Sequence, residues 1–502
     1  MNLGQLLKQR AETETKRVFV YFEDRKISFE ELHSKVRSLA AGLVRWGLKQ
    51  GDKAGIYLPN CPEFIESFLA VIYAGGVAMP INPAWKANEL GSALEIAGAR
   101  FLIFSQSQAQ EIEKLEHGNR FPEKFVVIGD DTHLEWTNYQ GLFVNEEIQP
   151  YDGGDNQIAT LVHTSGTTGR PKTVMLSHKN IMSNFSATAQ FLKLRENDMI
   201  LGVLPLYHVM GMAFTLAPLF SQAGVVLISD FIPKETMAAF MNYKITIFVS
   251  APTAYTILGS LPEHPIAPVS SLRFAISGGA PLRQEMLERF EQRFHLELLE
   301  GYGMSEATCV VTMNPSGGAR KVGSVGIPLP GVTIKVMSES NEELKPGEIG
   351  EIWVKGDSVM TAYLGDPEAT KHAVQDGWLH TGDLGYFDHD GYFYIEGRKK
   401  DLIIRGGENI YPREVEEVLV RHPGVSEAAV IGIPDWVWGE EVMAFVVLCK
   451  DASLGTEELS DFCSKQLADY KCPRIWKIVP DMPRSGTGEV LKKKLYETYL
   501  AG

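Results

Sequence analysis

Two hydrophobic periods alternate along most of this chain. Between Phe29 and Leu48 the apolar residues Leu32, Val36, Leu39, Leu43 and Val44 recur at helical spacing, which predicts a helix burying that face. Short β-rich runs follow at Lys53 to Leu58, Ile158 to Val162, Ile200 to Leu204, Gly224 to Ile228, Thr246 to Val249 and Arg273 to Ser277, most of them ended by Pro or Gly. Apolar runs interleaved with helical stretches suit strands buried between helix layers, so an α/β fold is expected. From Val332 to Tyr394 the texture changes to strands and tight turns, including Glu351 to Val354 and Gly391 to Ile395, which predicts a β-rich subdomain over about 332–397. Beyond Arg398-Lys399-Lys400 a compact α+β pattern resumes, with helix Pro412 to His422, strands Glu427 to Ile433 and Val442 to Cys449, and helix Thr456 to Leu467. The expected division is a large N-terminal domain over 1–399 and a small mobile domain over 400–502.

Length and charge narrow the function classes. At 502 residues the chain exceeds the size at which single cores usually stop growing. A formal charge of -15 argues against a general nucleic-acid binder, because such proteins need excess Lys and Arg to displace counterions. Any polyanionic ligand must be held by local cations. No apolar stretch is long enough to span a membrane, and residues Met1 to Arg17 lack a signal-peptide pattern, so a cytoplasmic location is expected. Five scattered cysteines with no CxxC pair read as reduced, structural thiols.

Thr164-Ser165-Gly166-Thr167-Thr168-Gly169-Arg170-Pro171-Lys172 carries the clearest chemistry. Glycines let backbone N–H groups approach an anion, hydroxyls add donors, and Lys172 supplies a charge able to reach phosphate oxygens. Pro171 stands where a Walker A loop has its second glycine and has no N–H to offer, so the segment is a different kind of phosphate loop. Alone, a loop of this composition is as often a polar surface turn.

Further segments follow in order: Leu204-Pro205-Leu206-Tyr207-His208, Ser277-Gly278-Gly279-Ala280-Pro281-Leu282, Gly301-Tyr302-Gly303-Met304-Ser305-Glu306, Trp378-Leu379-His380-Thr381-Gly382-Asp383, Gly397-Arg398-Lys399-Lys400-Asp401 and Arg405-Gly406-Gly407-Glu408-Asn409-Ile410-Tyr411-Pro412. With the loop, this series resembles the adenylate-forming superfamily, which includes acyl-CoA synthetases, luciferases and peptide-synthetase adenylation domains. The resemblance implies an ATP-dependent ligase that joins a carboxylic acid to AMP and then to a thiol, with ATP, Mg²⁺ and coenzyme A as cofactors. The loop from Thr164 to Gly169, with Lys172, would cradle phosphates. Gly279, Ala280 and Pro281 would line the adenine slot, and Tyr302, within Gly301, Gly303 and Met304, would stack on the purine. Ser305 would bond the α-phosphate, while Glu306, with Thr168, would hold Mg²⁺. Asp383 and Arg398 would hold the ribose, and His208 would orient the carboxylate. Lys400 would be the hinge about which the small domain turns, and Gly406 and Gly407 would wall the pantetheine tunnel. His163, where relatives often have an aromatic, reads as structural, and Thr173, where they have Gly, predicts a modest loop adjustment.

The sequence departs from the family at Pro483-Arg484-Ser485-Gly486-Thr487-Gly488-Glu489: relatives carry a lysine where Glu489 stands. That lysine bridges carboxylate and phosphate, so an anion there opposes the meeting of two anions. A helix over Glu489 to Leu500 would place Lys492 and Lys493 on the face of Glu489, and either is expected to substitute in part. Adenylation is expected to be slowed, with thiolation preserved. Tyr207 to Phe214 has no acid to pair with an α-amino group, and with Ser250 to Tyr255 it suggests an apolar channel for a fatty or aromatic acid, though its methionines are equally core residues. No carrier domain follows, so the acceptor is coenzyme A or a carrier protein in trans. A luciferase is less favoured, since the chain ends Leu500-Ala501-Gly502 rather than Ser-Lys-Leu. The alternative from a different class is a catalytically impaired ATP- or acyl-adenylate-binding regulator. Expected partners are a small-molecule acid and no nucleic acid, and a homodimer is left open.

Overall fold

The helix expected from Phe29 forms over Phe29–Arg45, entered through a capping box in which the Ser28 hydroxyl accepts from Glu31 N–H and the Glu31 carboxylate accepts from Ser28 N–H. Leu32, Val36, Leu39 and Leu43 are buried, but Val44 is 43% exposed, against the expectation. One residue past Leu43 is a turn of about 100°, which carries Val44 off the stripe, and Phe29 and Ala40 complete the buried face instead. A computed structural model describes residues 1–115, 122–129, 135–164, 172–261, 269–450, 452–484 and 489–501.

The chain is α/β and divides into two compact units, Met1–Thr333 with Val354–Leu379, and Ile334–Trp353 with His380–Gly502. The first unit holds two large sheets. One runs in the order Ile327–Pro328, Cys309–Met313, Leu298–Met304, Phe274–Ser277, Ile247–Ser250, Met199–Gly202, Gly224–Leu227, Val18–Phe22, Arg25–Ser28. Its central strands are parallel and fully buried, as the uninterrupted apolar runs predict. The other runs Ala362–Tyr363, Thr173–Ser177, Ile158–His163, Val77–Pro80, Lys53–Tyr57, Phe101–Ser105, Lys124–Ile128, Trp136–Asn138.

In the second unit the long antiparallel pair Val425–Asp435 and Gly439–Leu448 anchors a sheet with Ile403–Arg405, Glu408–Ile410 and Ile475–Ile478. Helices Pro412–Val420 and Thr456–Ser464 bury Val415, Leu419, Leu459 and Cys463 with Ile403 and Ile410. Strands Trp378–Phe387 and Phe393–Arg398 pair antiparallel, the former within the expected β-rich stretch and the latter ending one residue past it. The last helix spans Lys492–Ala501 rather than starting at Glu489. Just ahead of it Arg484 forms a bridge with Val490, and Leu491 N–H donates to Pro483 O at 2.8 Å. Glu489, Lys492 and Lys493 therefore do not share a helix face. All five cysteines are free thiols.

Two buried asparagines on helix His178–Phe191 tie distant chain together where the site forms. Asn184, 1% exposed, donates to the carbonyls of Ala307 and Val310 and accepts from Val310 N–H, while Asn180 donates to the carbonyls of Asp357 and Val359. Replacing Asn184 by Ala strands these buried backbone groups. Asn184→Ala is expected to lower unfolding free energy by about 1–3 kcal/mol, read as a lower denaturant midpoint.

Candidate functional site

The expected site residues fall into two groups, one in each unit. In the first, parallel strands Ile247–Ser250, Phe274–Ser277 and Leu298–Met304 run in register, Ser250 opposite Ser277 and Ser277 opposite Glu300. Their carboxyl ends therefore bring Gly278-Gly279 beside Gly301-Tyr302, at the edge where open α/β sheets bind ligands. Gly279 adopts φ +83°, which a side-chain-bearing residue resists. Gly279 and Pro281 are exposed and Ala280 is half-buried. Past Tyr302 the chain folds back as Cys309–Met313, so closely that a Cβ on Gly303 would collide with Cys309 O. Met304 Sδ lies 4.0 Å from the Tyr302 hydroxyl. Ser305, buried, opens a single 3₁₀ turn, Ser305–Ala307, closed by Thr308 at φ +69° with its hydroxyl on Ser358 O at 2.5 Å. Glu306 projects from that turn.

The phosphate loop leaves Ile158–His163 and returns as Thr173–Ser177, His163 opposite Thr173. Its stem is pinned by Thr164, whose N–H and hydroxyl both donate to Lys172 O, at 2.9 and 3.3 Å. The Thr173 hydroxyl contacts His163 Nδ1 at 3.1 Å, so the Thr-for-Gly departure is matched by the His-for-aromatic one beneath it. Trp85 packs on His163 at 5.1 Å, and burial lowers that imidazole to about 4. Ser165, Gly166, Thr167, Thr168 and Gly169, and with Thr168 the second expected metal ligand, lie outside the described residues.

Lys172 and Glu306 are brought together through a residue that the motifs did not single out. The Lys172 ammonium lies 4.6 Å from the centroid of the Tyr363 ring, and the Tyr363 hydroxyl donates to Glu306 Oε1 at 2.8 Å. Only the pairing of Ala362–Tyr363 with Thr173–Ser177 delivers Tyr363 there, a long-range event with no local signal. Among the described residues no three His, Cys, Asp or Glu side chains cluster as a metal site. One carboxylate nevertheless fits a Mg²⁺ that arrives on a nucleotide, since that ion keeps several waters and uses one or two carboxylates plus phosphates.

His208 caps helix Val209–Leu216, its Nδ1 accepting from Met210 N–H at 3.3 Å. A neutral ring that accepts at Nδ1 carries its proton on Nε2, and burial lowers its basicity to about 4, so at neutral pH it is an uncharged N–H donor. Met210 carries this turn to the glycine edge: its Cε lies 3.0 Å from where a Cβ on Gly278 would stand. Part of the expected apolar channel wall is core, while Tyr207, Ala251 and Pro252 are half-buried and Thr253 is exposed. Met212, Phe214 and Tyr255 are buried, and the Tyr255 hydroxyl donates to Phe248 O and Ile276 O.

In the second unit Asp383 and Arg398 face each other across paired strands, and Arg398 Nε lies 3.0 Å from Asp383 Oδ1. Thr381 orders the turn, donating to Ile352 O and accepting from Asp383 N–H, while Gly382, at φ +70°, donates to Glu351. Glu489 joins this cluster. Burial raises its carboxyl, Arg398 and Lys400 pull it down, and Asp383 and Asp401 push it up. Burial in turn lowers the Lys400 ammonium, with Arg398 opposing its charge and Asp401 and Glu489 supporting it. Lys492 instead pairs with Glu416 at 2.7 Å, and Lys493 lies 3.9 Å from Glu497. The cations set against Glu489 are thus Arg398 and Lys400, not the two expected lysines. Gly406 and Gly407 form a left-handed turn at φ +61° and +90°, with Gly406 N–H on Trp438 O. A Cβ on Gly406 would meet the Trp438 ring at 2.9 Å, and Arg405, paired with Glu441, covers the same indole.

A model of the AMP-binding enzyme family matches residues 7–364, and one of the AMP-binding enzyme C-terminal domain matches 414–489. The chain is 36% identical to a long-chain-fatty-acid–CoA ligase of Bacillus subtilis, over 95% of this chain and 91% of that protein. It is 35% identical to a feruloyl-CoA synthase of Amycolatopsis, over 93% and 92%. Its fold superposes on the ATP-bound MatB of Rhodopseudomonas palustris with a TM-score of 0.92, at 33% identity and 99% coverage of both chains. No helix among the described residues is long and apolar enough to cross a membrane.

The buried imidazoles set a pH dependence. His163, His178 and His208 all have folded values near 4, below the ~6.5 of an unfolded histidine. The unfolded chain therefore binds more protons as pH falls through ~6.5, and stability contributed by the neutral rings should decline until pH nears 4. His208→Asn keeps a side-chain cap and removes one of these groups, so its denaturant midpoint should fall less between pH 7 and pH 5 than the wild type's.

Proposed function

The chain belongs to the AMP-binding enzyme family and is an AMP-forming acid–thiol ligase, and from that premise we propose that its acid is hydrophobic, fatty or aromatic, and its acceptor coenzyme A. In the first half-reaction an oxygen of the substrate carboxylate attacks the α-phosphorus of ATP and pyrophosphate leaves. In the second the thiol sulfur attacks the acyl carbon, AMP leaves, and the thiol proton passes to solvent. The observation that carries this reading is the junction of His208, Met210 and Gly278. A neutral Nε2–H donor can bond a carboxylate oxygen without neutralising its charge, and a methionine beside bare glycine backbone gives an apolar surface next to it. Two of the relatives are named for a long-chain fatty acid and for ferulate, which supports the same class, whereas another is named for oxalate, a small polar acid.

The remaining roles follow the resemblance to the family. Thr164 and the loop to Gly169, with Lys172, would bind the phosphates. The slot of Gly279, Ala280 and Pro281, with Tyr302 between Gly301, Gly303 and Met304, would take adenine, and Ser305 would bond the α-phosphate. Mg²⁺ held at Glu306, with Thr168, would offset phosphate charge. Asp383 and Arg398 would hold the ribose hydroxyls, Lys400 in the single turn Lys399–Asp401 would be the hinge of a small domain over 400–502, and the Gly406-Gly407 turn would border the thiol's path. Lys492, held by Glu416, is a weaker candidate for the missing cation than Arg398 or Lys400.

Glu489 supports a slowed first step. Its carboxylate draws on Arg398 and Lys400 and adds a negative charge at the position where relatives bring a cation to two reacting anions. It is also the one feature that favours the regulatory reading. Glu489→Lys should raise acid-dependent pyrophosphate release at least about tenfold, ~1.4 kcal/mol of transition-state stabilisation, while thiolation of supplied acyl-adenylate stays unchanged. Mass spectrometry of AMP and acyl-CoA over a panel of fatty and aromatic acids reads both. If neither form makes AMP from any acid while ATP still binds, the regulator is the better reading.

A further inference from the structure

Tyr363 touches both Lys172 and Glu306, and its own position is fixed independently of either. It stands opposite Val174 in an antiparallel pair, the flanking Leu364 N–H donates to Thr173 O at 2.8 Å, and Thr361 N–H donates to Met175 O at 3.0 Å. Its own N–H donates to Thr370 Oγ1 at 2.9 Å, and the residue is 8% exposed. The ring is thus fastened to the strand that leaves the phosphate loop.

We propose that Tyr363 is a positioning residue for the metal-bound nucleotide: its ring holds the Lys172 ammonium, and its hydroxyl engages Glu306 Oε1, which would leave the other carboxylate oxygen for the cation. The proposal rests on the adenylating reading above. Its physical content is preorganisation. A lysine has several rotatable bonds to freeze when it meets phosphate, and a ring that already restrains the ammonium reduces that loss. A carboxylate free to rotate can chelate a cation through both oxygens, whereas one oxygen bound to Tyr363 commits Glu306 to a single bond, the mode that suits a strongly hydrated Mg²⁺.

The two halves of the side chain separate by substitution. Tyr363→Phe keeps the ring and loses the hydroxyl, while Tyr363→Leu loses both. Calorimetric titration of the full-length protein with ATP, with EDTA present and then over a Mg²⁺ series, reads binding without turnover. Tyr363→Phe should bind metal-free ATP like the wild type but need at least about tenfold more Mg²⁺ for half-maximal enhancement, the scale of one hydrogen bond to a charged group. Tyr363→Leu should also lose metal-free ATP affinity. In a Glu306→Gln background, Tyr363→Phe should cause no further change in Mg²⁺ requirement, because the two residues act as one unit.

An unchanged Mg²⁺ requirement in a Tyr363→Phe protein that unfolds at the wild-type midpoint overturns the inference, as does an additive effect in the double variant. Failure of the wild type itself to bind ATP overturns the adenylating reading and this inference with it, so the two failures are distinguishable.

Discussion

The first unit is organised by the register of parallel strands that stop at one edge. Strands buried on both faces commit their side chains to the helix layers, so polar groups that must meet a ligand can come only from the turns at their ends. Ser250, Ser277 and Glu300 end in register, and that alone sets Gly278-Gly279 against Gly301-Tyr302. Met210 then packs on the glycines and fixes the distance of His208 from them. A glycine at 278 is what permits this approach, since a Cβ there would already crowd Met210 Cε.

A chain with a net charge of -15 has to assemble its anion-handling groups locally. Among the described residues Lys172 rests on a ring and makes no ion pair with a carboxylate. His208 and His163 are held neutral by burial. In the second unit the balance differs. Asp383, Asp401 and Glu489 share the field of Arg398 and Lys400, so two cations serve three buried or half-buried acids. A lysine at 489 would change the sign of that cluster.

The departures from the family pattern also have different physical weight. Thr173 and His163 differ together and meet at 3.1 Å, forming one polar contact under the loop stem. Glu489 has no such compensating change on its own helix, because the helix begins three residues later and Lys492 is taken by Glu416.

The sequence by itself determined the alternation of buried strands and amphipathic helices, because burial on one or both faces leaves a periodic trace. It also determined the ordered motifs that mark the family, because the turns at strand ends need particular glycines and donors. The helix at Phe29, the strands ending at Ser250 and Ser277, and the adjacent Gly301-Tyr302 were all legible in this way. Only the tertiary structure decided that Tyr363 links Lys172 to Glu306, that Val44 leaves the buried face while Met212 and Phe214 join the core, and that Glu489 precedes its helix and faces Arg398 and Lys400. Each of these depends on partners far away in the chain, or on a bridge such as Arg484 to Val490 that overrides local helical preference, and neither leaves a mark in the spacing of residues.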